Sequence, residues 1–287
     1  MEYSSVTFDI MPNTEVARDL LAYTIAEIGF ESFEEHEKGL IGYIPTSLYN
    51  KSILDDAISS FPLSDTVILY SVSKLEDIDW NYHWEETGFS PINIDNRCVI
   101  YDAKHQAPPA LSTNQFCIGI DAIQAFGTGT HETTQMMVSK LLQFDLNGKR
   151  VLDCGCGTGI LSIAASKCGA KEVIGYDIDK WSVENSRRNA QINNVENMEI
   201  LHGNANILSH IGGLFDVIVA NINRNILLED MPRFVDAMAA DGFLLISGFY
   251  SDDAGILLEK AQTLNLKLID KKENNDWCLL MFSFDKE

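Results

Sequence analysis

Three alternating glycines separate an apolar segment from an amphipathic one in residues 151–161, in the pattern Asp-x-Gly-x-Gly-x-Gly. The pattern predicts a strand, a tight turn and a helix. Glycine accepts positive φ and lacks a Cβ, so the backbone at Gly155 and Gly157 can lie against a bound molecule. The first turn of the helix then offers unpaired N–H groups. The stretch therefore predicts a site for a nucleotide-type cofactor.

Two carboxylates follow apolar segments near this turn. Asp153 ends the first segment, and Asp177 ends the next one, 22 residues after Gly155. A carboxylate at Asp177 can accept both hydroxyls of a ribose. Asp153 would repel a phosphate, which favours a cofactor with an amino acid tail over one with a pyrophosphate. The nicotinamide fingerprint also fails, because its third glycine would fall at Ile160, and this weakens the interpretation as a nicotinamide oxidoreductase.

Two asparagines follow later predicted strands. Residues 198–201 are a predicted strand that Gly203-Asn204-Ala205 follows, and residues 215–220 are a nearly all-apolar run that ends in Asn221. Ligands of open α/β sheets bind beyond the carboxyl ends of the strands. We therefore expect both asparagines to share one crevice with the two carboxylates. A turn asparagine that serves only the local backbone remains the alternative for Asn204.

These motifs resemble those of the class I S-adenosylmethionine-dependent methyltransferases. The resemblance implies an α/β fold with a Rossmann-like seven-stranded sheet and S-adenosylmethionine as the cofactor. Predicted strands at residues 267–272 and 277–284 fit the closing antiparallel pair of such a sheet. A non-catalytic module that binds the cofactor is the alternative from another class of protein.

A polar loop at residues 126–134, Phe-Gly-Thr-Gly-Thr-His-Glu-Thr-Thr, leads into a predicted helix at 133–144. Such a loop can fold over a cofactor and present hydroxyl and N–H groups, whereas a helix N-cap alone needs only one threonine. The loop is similar to the Phe-Gly-Thr-Gly-x-His-x-Thr-Thr hallmark of the methyltransferases of large-subunit ribosomal protein L11 (PrmA). The chain departs from that family at Ala122-Ile123, where Pro-Gly is usual, and at Glu132, where proline is common.

The resemblance covers essentially the whole chain and implies methyl transfer to lysine ε-amines and to the N-terminal α-amine of ribosomal protein L11. It also implies that Thr134, Gly155, Asp177 and Asn221 contact the cofactor. Asn221 is the expected catalytic residue, because an amide oxygen at a strand end can hold the amine nitrogen. The sequence identifies no dedicated base, and His131 is a weaker candidate. Methylation of another protein or of a small-molecule amine remains the alternative.

Composition limits the partners of the chain. Its 287 residues contain 21 Lys and Arg against 42 Asp and Glu, a formal net charge of −21. Such a charge argues against nucleic acid as a ligand, since phosphates need basic residues, and it favours a basic partner through long-range steering. A generic acidic protein kept soluble by its charge is the alternative.

The six cysteines predict neither a disulfide framework nor a metal site. They are scattered, and Cys154 and Cys156 lack the spacing and the second pair of a zinc site. Reduced thiols indicate a cytoplasmic location. We expect no signal peptide, because no basic region precedes an apolar run at the N-terminus. No run approaches the length of a transmembrane helix, so we expect no membrane partner.

The length predicts about two domains. Residues 1–76 show the order βαββαβ of a ferredoxin-like substrate-recognition domain, with strands at 3–10, 31–37, 40–44 and 66–73 and helices at 12–28 and 45–61. Residues 77–90 are a predicted linker helix with Trp80 and Trp84 on one face. Residues 91–287 form the predicted methyltransferase domain.

Overall fold

The computed structural model describes residues 3–26, 28–30, 32–63, 66–74, 88–122 and 127–285. The chain divides into two compact units, Met1–Trp80 and Asn81–Glu287. Trp80, Trp84 and Phe126 lie outside the described residues, as does most of the predicted linker helix. Among the described helices, none combines the length and the apolar character that a bilayer crossing requires.

The first unit is a four-stranded antiparallel sheet with two helices. Its elements are β1 Tyr3–Met11, α1 Glu15–Ala26, β2 Ser32–His36, β3 Gly39–Pro45, α2 Lys51–Ser59 and β4 Val67–Lys74. The strands lie in the order β2-β3-β1-β4, which together with the chain order is that of the ferredoxin-like fold. Its core forms because alternate residues of β1, among them Phe8, meet one face of α1, including Leu21 and Ile25.

Helix α2 begins later than the predicted residue 45. Pro45 still belongs to β3, and residues 46–48 form a turn. The side chain of Asn50 then accepts hydrogen bonds from the backbone N–H groups of Ser52 and Ile53, at 3.0 and 3.4 Å. The helix therefore starts after the N-cap residue Asn50, which the apolar periodicity alone did not locate.

The second unit contains two sheets. Its elements are β5 Ile92–Ile94, β6 Cys98–Asp102, β7 Phe116–Ile120, α3 Glu132–Leu141, β8 Arg150–Cys154, α4 Ile160–Lys167, β9 Glu172–Asp177, α5 Lys180–Ile192, β10 Met198–His202, β11 Phe215–Asn221, α6 Arg224–Ala237, β12 Met238–Tyr250, α7 Ala254–Thr263, β13 Leu266–Asn274 and β14 Trp277–Phe284. Short 3₁₀ helices lie at Ala205–His210 and Ser251–Asp253.

The main sheet has seven strands in the order β10-β9-β8-β11-β12-β14-β13. The first five run parallel, and β14 pairs antiparallel with both β12 and β13. The sequence predicted this antiparallel pair at the end of the chain, at residues 267–272 and 277–284. The central strands are buried on both faces, as expected for strands covered by helices. The carboxyl ends of β8 to β11 therefore meet at one edge.

The smaller sheet has the order β5-β6-β7, and β7 lies at its edge. Asparagines at four-residue intervals on α5 take the place of a further strand. Asn193 accepts from the backbone N–H of Gly119 at 2.9 Å and donates to its carbonyl at 2.7 Å. Asn189 accepts from the N–H of Asp121 at 3.0 Å. The helix thereby holds the strand that leads into the polar loop.

Asn189 also donates to the carbonyl of Thr158 in the glycine turn, at 2.9 Å. We predict that Asn189→Ala lowers the free energy of unfolding by about 2 to 3 kcal/mol, because it leaves a buried N–H and a buried carbonyl without partners. Urea denaturation measures the loss. Gln191→Ala is the control, since Gln191 is exposed on the same helix, and it should cost less than about 0.5 kcal/mol. Equal losses would contradict a role for the asparagine ladder.

Candidate functional site

A cavity of about 460 Å³ opens where the carboxyl ends of β8 to β11 meet. All six residues predicted to bind the cofactor line it: Thr134, Gly155, Gly157, Asp177, Asn204 and Asn221. The volume lies in the range of small-molecule sites. The sequence therefore identified residues from four separate strand ends and from the polar loop that the fold brings to one place.

The glycine turn forms one wall of this cavity. Gly155 has φ of 72°, and a Cβ at this position would collide with the side chain of Ile222, which also lines the cavity. The N–H groups of Gly155 and Cys156 both donate to the carbonyl of Tyr176, at 2.9 and 3.0 Å. The end of β9 thus fixes the turn after β8, and only glycine lets its backbone approach this closely.

Asp177 is anchored through both of its oxygens. Oδ2 accepts the backbone N–H of Gly157 at 2.9 Å, and Oδ1 accepts that of Asp179 at 3.0 Å. A carboxylate has about four acceptor positions, so each oxygen can accept one further hydrogen bond. The side chain can therefore bind a pair of ligand hydroxyls without losing the contacts that orient it.

Asp153 does not line the cavity, and the prediction that it would share the crevice is wrong. The side chain is 1% exposed, and its Oδ2 accepts from the backbone N–H and the hydroxyl of Ser162, at 3.0 and 2.6 Å. Ser162, in the first turn of α4, thus holds this carboxyl group by two hydrogen bonds. Burial raises the pKa of Asp153 to about 7, the hydrogen bonds from Ser162 oppose the shift, and the charge of Asp177 adds to it.

Asn221 and Thr134 meet inside the cavity. Nδ2 of Asn221 donates to Oγ1 of Thr134 at 3.4 Å, and Thr134 is 1% exposed. Oδ1 of Asn221 is buried and has no hydrogen-bond partner among the described residues. An unpaired buried acceptor is costly, and this oxygen is free to accept a hydrogen bond from an N–H or O–H donor.

Asn204 serves both of the roles considered for it. Its side chain accepts the backbone N–H of Asn206 at 3.1 Å and so begins the 3₁₀ helix. The turn interpretation therefore accounts for its amide oxygen. The residue nevertheless lines the cavity beside Gly203, two residues after the end of β10, the strand that pairs with β9.

His131 lies at a helix cap. Its Nδ1 accepts the backbone N–H of Thr133 at 3.3 Å and begins α3. The imidazole ring meets Trp277 edge to face, with centroids 4.6 Å apart. His131 is absent from the residues that line the cavity, and its contacts are those of a capping residue.

Sequence reasoning missed several residues that line the cavity. Tyr176, the buried residue before Asp177 on β9, lines the cavity. Asp230 and Arg233 form an ion pair at 3.0 Å on the second and third turns of α6, and burial raises the pKa of Asp230. These two residues lie beyond the strand end, so a rule based on strand ends does not reach them.

The chemistry of the cavity fits a nucleoside with an amino acid tail. Asp177 offers paired acceptors, Asn221 offers an unpaired one, and the glycine turn borders the cavity. The order of the seven strands, the antiparallel β14 and this site define a class I methyltransferase, whose cofactor is S-adenosylmethionine.

Comparisons with known proteins identify the family. The model of the family described as ribosomal protein L11 methyltransferase (PrmA) matches residues 14–285. The chain is 44% identical over 282 residues to the ribosomal protein L11 methyltransferase of Bacteroides fragilis, covering 98% of this chain and 99% of that protein. It is 42% identical over 290 residues to that of Porphyromonas gingivalis, covering 99% of each.

A solved structure shows the same relationship. The crystal structure of the ribosomal protein L11 methylase from Lactobacillus delbrueckii subsp. bulgaricus superimposes with a TM-score of 0.64 at 28% identity. The match covers 69% of this chain and 100% of that one. The chain therefore belongs to the ribosomal protein L11 methyltransferase family.

We predict that Asp177→Ala weakens the binding of S-adenosylmethionine at least about tenfold in titration calorimetry, because hydrogen bonds to a charged acceptor are lost. Asp177→Asn keeps an acceptor for Gly157 and should also weaken binding. Glu184→Ala is the control, since it removes one acidic charge at an exposed position of α5 outside the cavity lining. Its affinity should stay within about twofold of the wild-type value. Retained affinity in both Asp177 variants would place the ribose elsewhere.

The raised pKa of Asp153 predicts a pH dependence of stability. The folded protein holds this proton up to about pH 7, whereas an exposed aspartate loses it near pH 4. The contribution of Asp153 to the free energy of unfolding is therefore fully present below pH 4. It falls by about 1 kcal/mol per pH unit as the pH rises to about 7. We predict that Asp153→Asn removes this fall, as measured by urea denaturation at about pH 5 and about pH 7.5.

Asp216→Asn provides a control of opposite sign. Partial burial acts to raise the pKa of Asp216, but hydrogen bonds from the backbone of Arg150 and from Lys149 outweigh it and lower the pKa. Its contribution is present above the unfolded pKa and is lost on acidification. A wild-type pH slope that persists in Asp153→Asn would show that Asp153 does not carry it.

Proposed function

We propose that this chain transfers methyl groups from S-adenosylmethionine to amines of large-subunit ribosomal protein L11, namely lysine ε-amines and the N-terminal α-amine. The unpaired Oδ1 of Asn221 inside the cofactor cavity carries this proposal, because it suits an incoming N–H group. The names of the relatives, which match this chain over nearly its whole length, support the substrate. They favour it over another protein or a small-molecule amine.

The cavity residues hold the cofactor. Asp177 accepts the ribose hydroxyls, and the turn at Gly155 and Gly157 lies against the nucleoside. Asn204 lies at the next strand end, toward the base, and Thr134 approaches from α3. When bound, S-adenosylmethionine supplies a methyl group already activated on a sulfonium centre.

Asn221 orients the substrate amine as well as contacting the cofactor. Its Nδ2 is fixed on Thr134, so its Oδ1 is held in one direction. An N–H bonded to that oxygen turns the nitrogen lone pair toward the reacting methyl carbon, and alignment of this kind accounts for much of catalysis when one reactant is already activated. Removal from water lowers the pKa of a lysine amine and favours its neutral form. The chain needs no dedicated base, because the proton can pass to solvent.

The first 76 residues present the basic substrate. They contain 13 Asp and Glu against 4 Lys and Arg, a net charge of −9. Edge strand β2 carries Glu34, which is exposed and accepts a hydrogen bond from Tyr43 at 2.8 Å. A charged edge strand also protects against unwanted pairing, and here the same charge attracts a cationic protein. Residues 77–90 link this domain to the methyltransferase domain at 91–287.

The proposal also places the reaction in the cytoplasm. All six cysteines are free thiols, and Cys98, Cys154, Cys156 and Cys278 are buried. Free thiols of this kind suit a reducing compartment.

Mass spectrometry of purified L11 incubated with the enzyme and labelled cofactor tests the function. The wild-type protein should add methyl groups to L11 amines, and Asn221→Ala should reduce kcat/KM about a hundredfold through loss of alignment. Asn225→Ala is the control, because Asn225 is exposed on α6 outside the cavity. Unmodified L11 after incubation with the wild-type enzyme would overturn the proposal.

A further inference from the structure

Strand β4 is an edge strand without the usual protection. It lies at one end of the first sheet, has eight residues and contains no charged side chain from Val67 to Ser73. An edge strand presents unpaired N–H and C=O groups that can pair with another chain, so proteins usually shorten, charge or cover such strands. The sequence of β4 shows none of these features before Lys74.

The other edge strands among the described residues are protected. Strands β2, β10 and β13 carry charged residues within the strand, and β5 has only three residues. The asparagines of α5 cover the edge of β7. Strand β4 is therefore the exception among the edges of the three described sheets, and the contrast indicates an edge that is kept open for pairing.

The hydrogen-bond register shows which backbone groups of β4 are free. The N–H of Ile10 donates to the carbonyl of Lys38 at 2.9 Å, in line with the pairing of β1 and β3. Hydrogen-bonded pairs alternate along antiparallel strands, so the odd-numbered residues of β1 bond to the odd-numbered residues of β4. The N–H and C=O groups of Ile68, Tyr70 and Val72 therefore point away from the sheet, and no described strand pairs with them.

Apolar side chains lie beside this edge on the face of the sheet that the helices leave open. Val67 and Leu69 are 54% and 57% exposed, and neither belongs to the core between the sheet and the helices. Their partners on β1 are Met11, which is also exposed, and Asp9, and directly opposed residues share one face. An added strand would thus meet apolar contacts and a carboxylate.

Charge favours one of two occupants of this edge. A second copy would bring together two chains that each carry a formal net charge of −21, and these repel each other at long range. The basic substrate of the proposed function is instead attracted to the first 76 residues, whose net charge is −9.

We propose that an extended segment of the basic protein substrate pairs with β4 and adds a fifth strand to the first sheet. The inference rests on the proposed function. In this mode of recognition main-chain hydrogen bonds give affinity, and alternate side chains give specificity. Strand β4 thereby contributes to the binding of the substrate protein, whereas the cofactor cavity carries out the methyl transfer.

Titration of purified L11 into the full-length enzyme tests this pairing. Val72→Pro removes an N–H that points away from β1, so it blocks an added strand while the hydrogen bonds to β1 remain. The dissociation constant for L11 should rise at least about tenfold, because several main-chain hydrogen bonds are lost. The KM for L11 should rise with it, and kcat should stay within about twofold.

Phe33→Pro is the matched control for the proline substitution. By the same alternation, Phe33 directs its N–H away from β3 on the opposite edge strand, β2. This variant should bind L11 within about twofold of the wild-type protein.

Leu69→Lys is a second variant, which leaves every backbone group in place. It adds a positive charge beside the edge and should weaken the binding of L11 at least about threefold, since like charges then face each other. Val16→Lys makes the same change at an exposed position of α1 and should have less than about a twofold effect. Unchanged urea midpoints and S-adenosylhomocysteine affinities separate lost docking from a damaged fold.

The outcomes separate the two proposals. Unchanged L11 affinity and KM in both Val72→Pro and Leu69→Lys overturn the pairing alone. A wild-type dimer in light scattering that Val72→Pro converts to a monomer, with unchanged L11 binding, assigns β4 to a second copy and also overturns it. L11 that binds without being methylated overturns the proposed function, while its sensitivity to Val72→Pro still decides the pairing. L11 that does not bind overturns both.

Discussion

The hydrogen bond from the backbone N–H of Gly157 to the carboxylate of Asp177 connects the two halves of the cofactor site. One partner belongs to the turn after β8, and the other belongs to the end of β9. The carbonyl of Tyr176 strengthens the same connection by accepting two further N–H groups from the turn. The proposed acceptor for the ribose and the glycine turn proposed to border the nucleoside are therefore connected directly by hydrogen bonds.

The polar loop depends on a second set of buried hydrogen bonds. The asparagines of α5 hold the edge of β7, and Asn189 also contacts the glycine turn at Thr158. Thr158 in turn donates its hydroxyl to the carbonyl of Gly127 at 2.6 Å. The loop is thus fastened to the frame at both of its described ends. This leaves Thr134 beside Asn221, whose amide oxygen then has a defined direction.

The sequence predicted the main sheet and six of the residues that line the cavity, because both follow from local rules. Apolar runs located the central strands, and strand ends located Asp177, Asn204 and Asn221. Those rules failed where a tertiary contact determines the position of a side chain. Asp153 also ends a strand, yet Ser162 on the following helix captures its side chain. Cavity residues on α6 were missed, since their position depends on how that helix packs.

Local sequence signals also limited how accurately the ends of helices and strands could be predicted. Strand β5 has only three residues, Ile92–Ile94, and its pattern is too short to distinguish from a loop. Helix α2 starts after the capping residue Asn50. Asparagine is also common in polar loops, so its presence did not mark the start of a helix. The contact between His131 and Trp277 was inaccessible, because the two residues are far apart in the sequence.

The central claim is that a sulfonium nucleoside occupies the cavity between Asp177 and Asn221. A crystal structure of the protein grown with S-adenosylhomocysteine tests it most directly. The account predicts ribose hydroxyls within hydrogen-bonding distance of the Asp177 carboxylate, with the amino acid end reaching the glycine turn. Density for the nucleoside at another site, with this cavity empty, would contradict it.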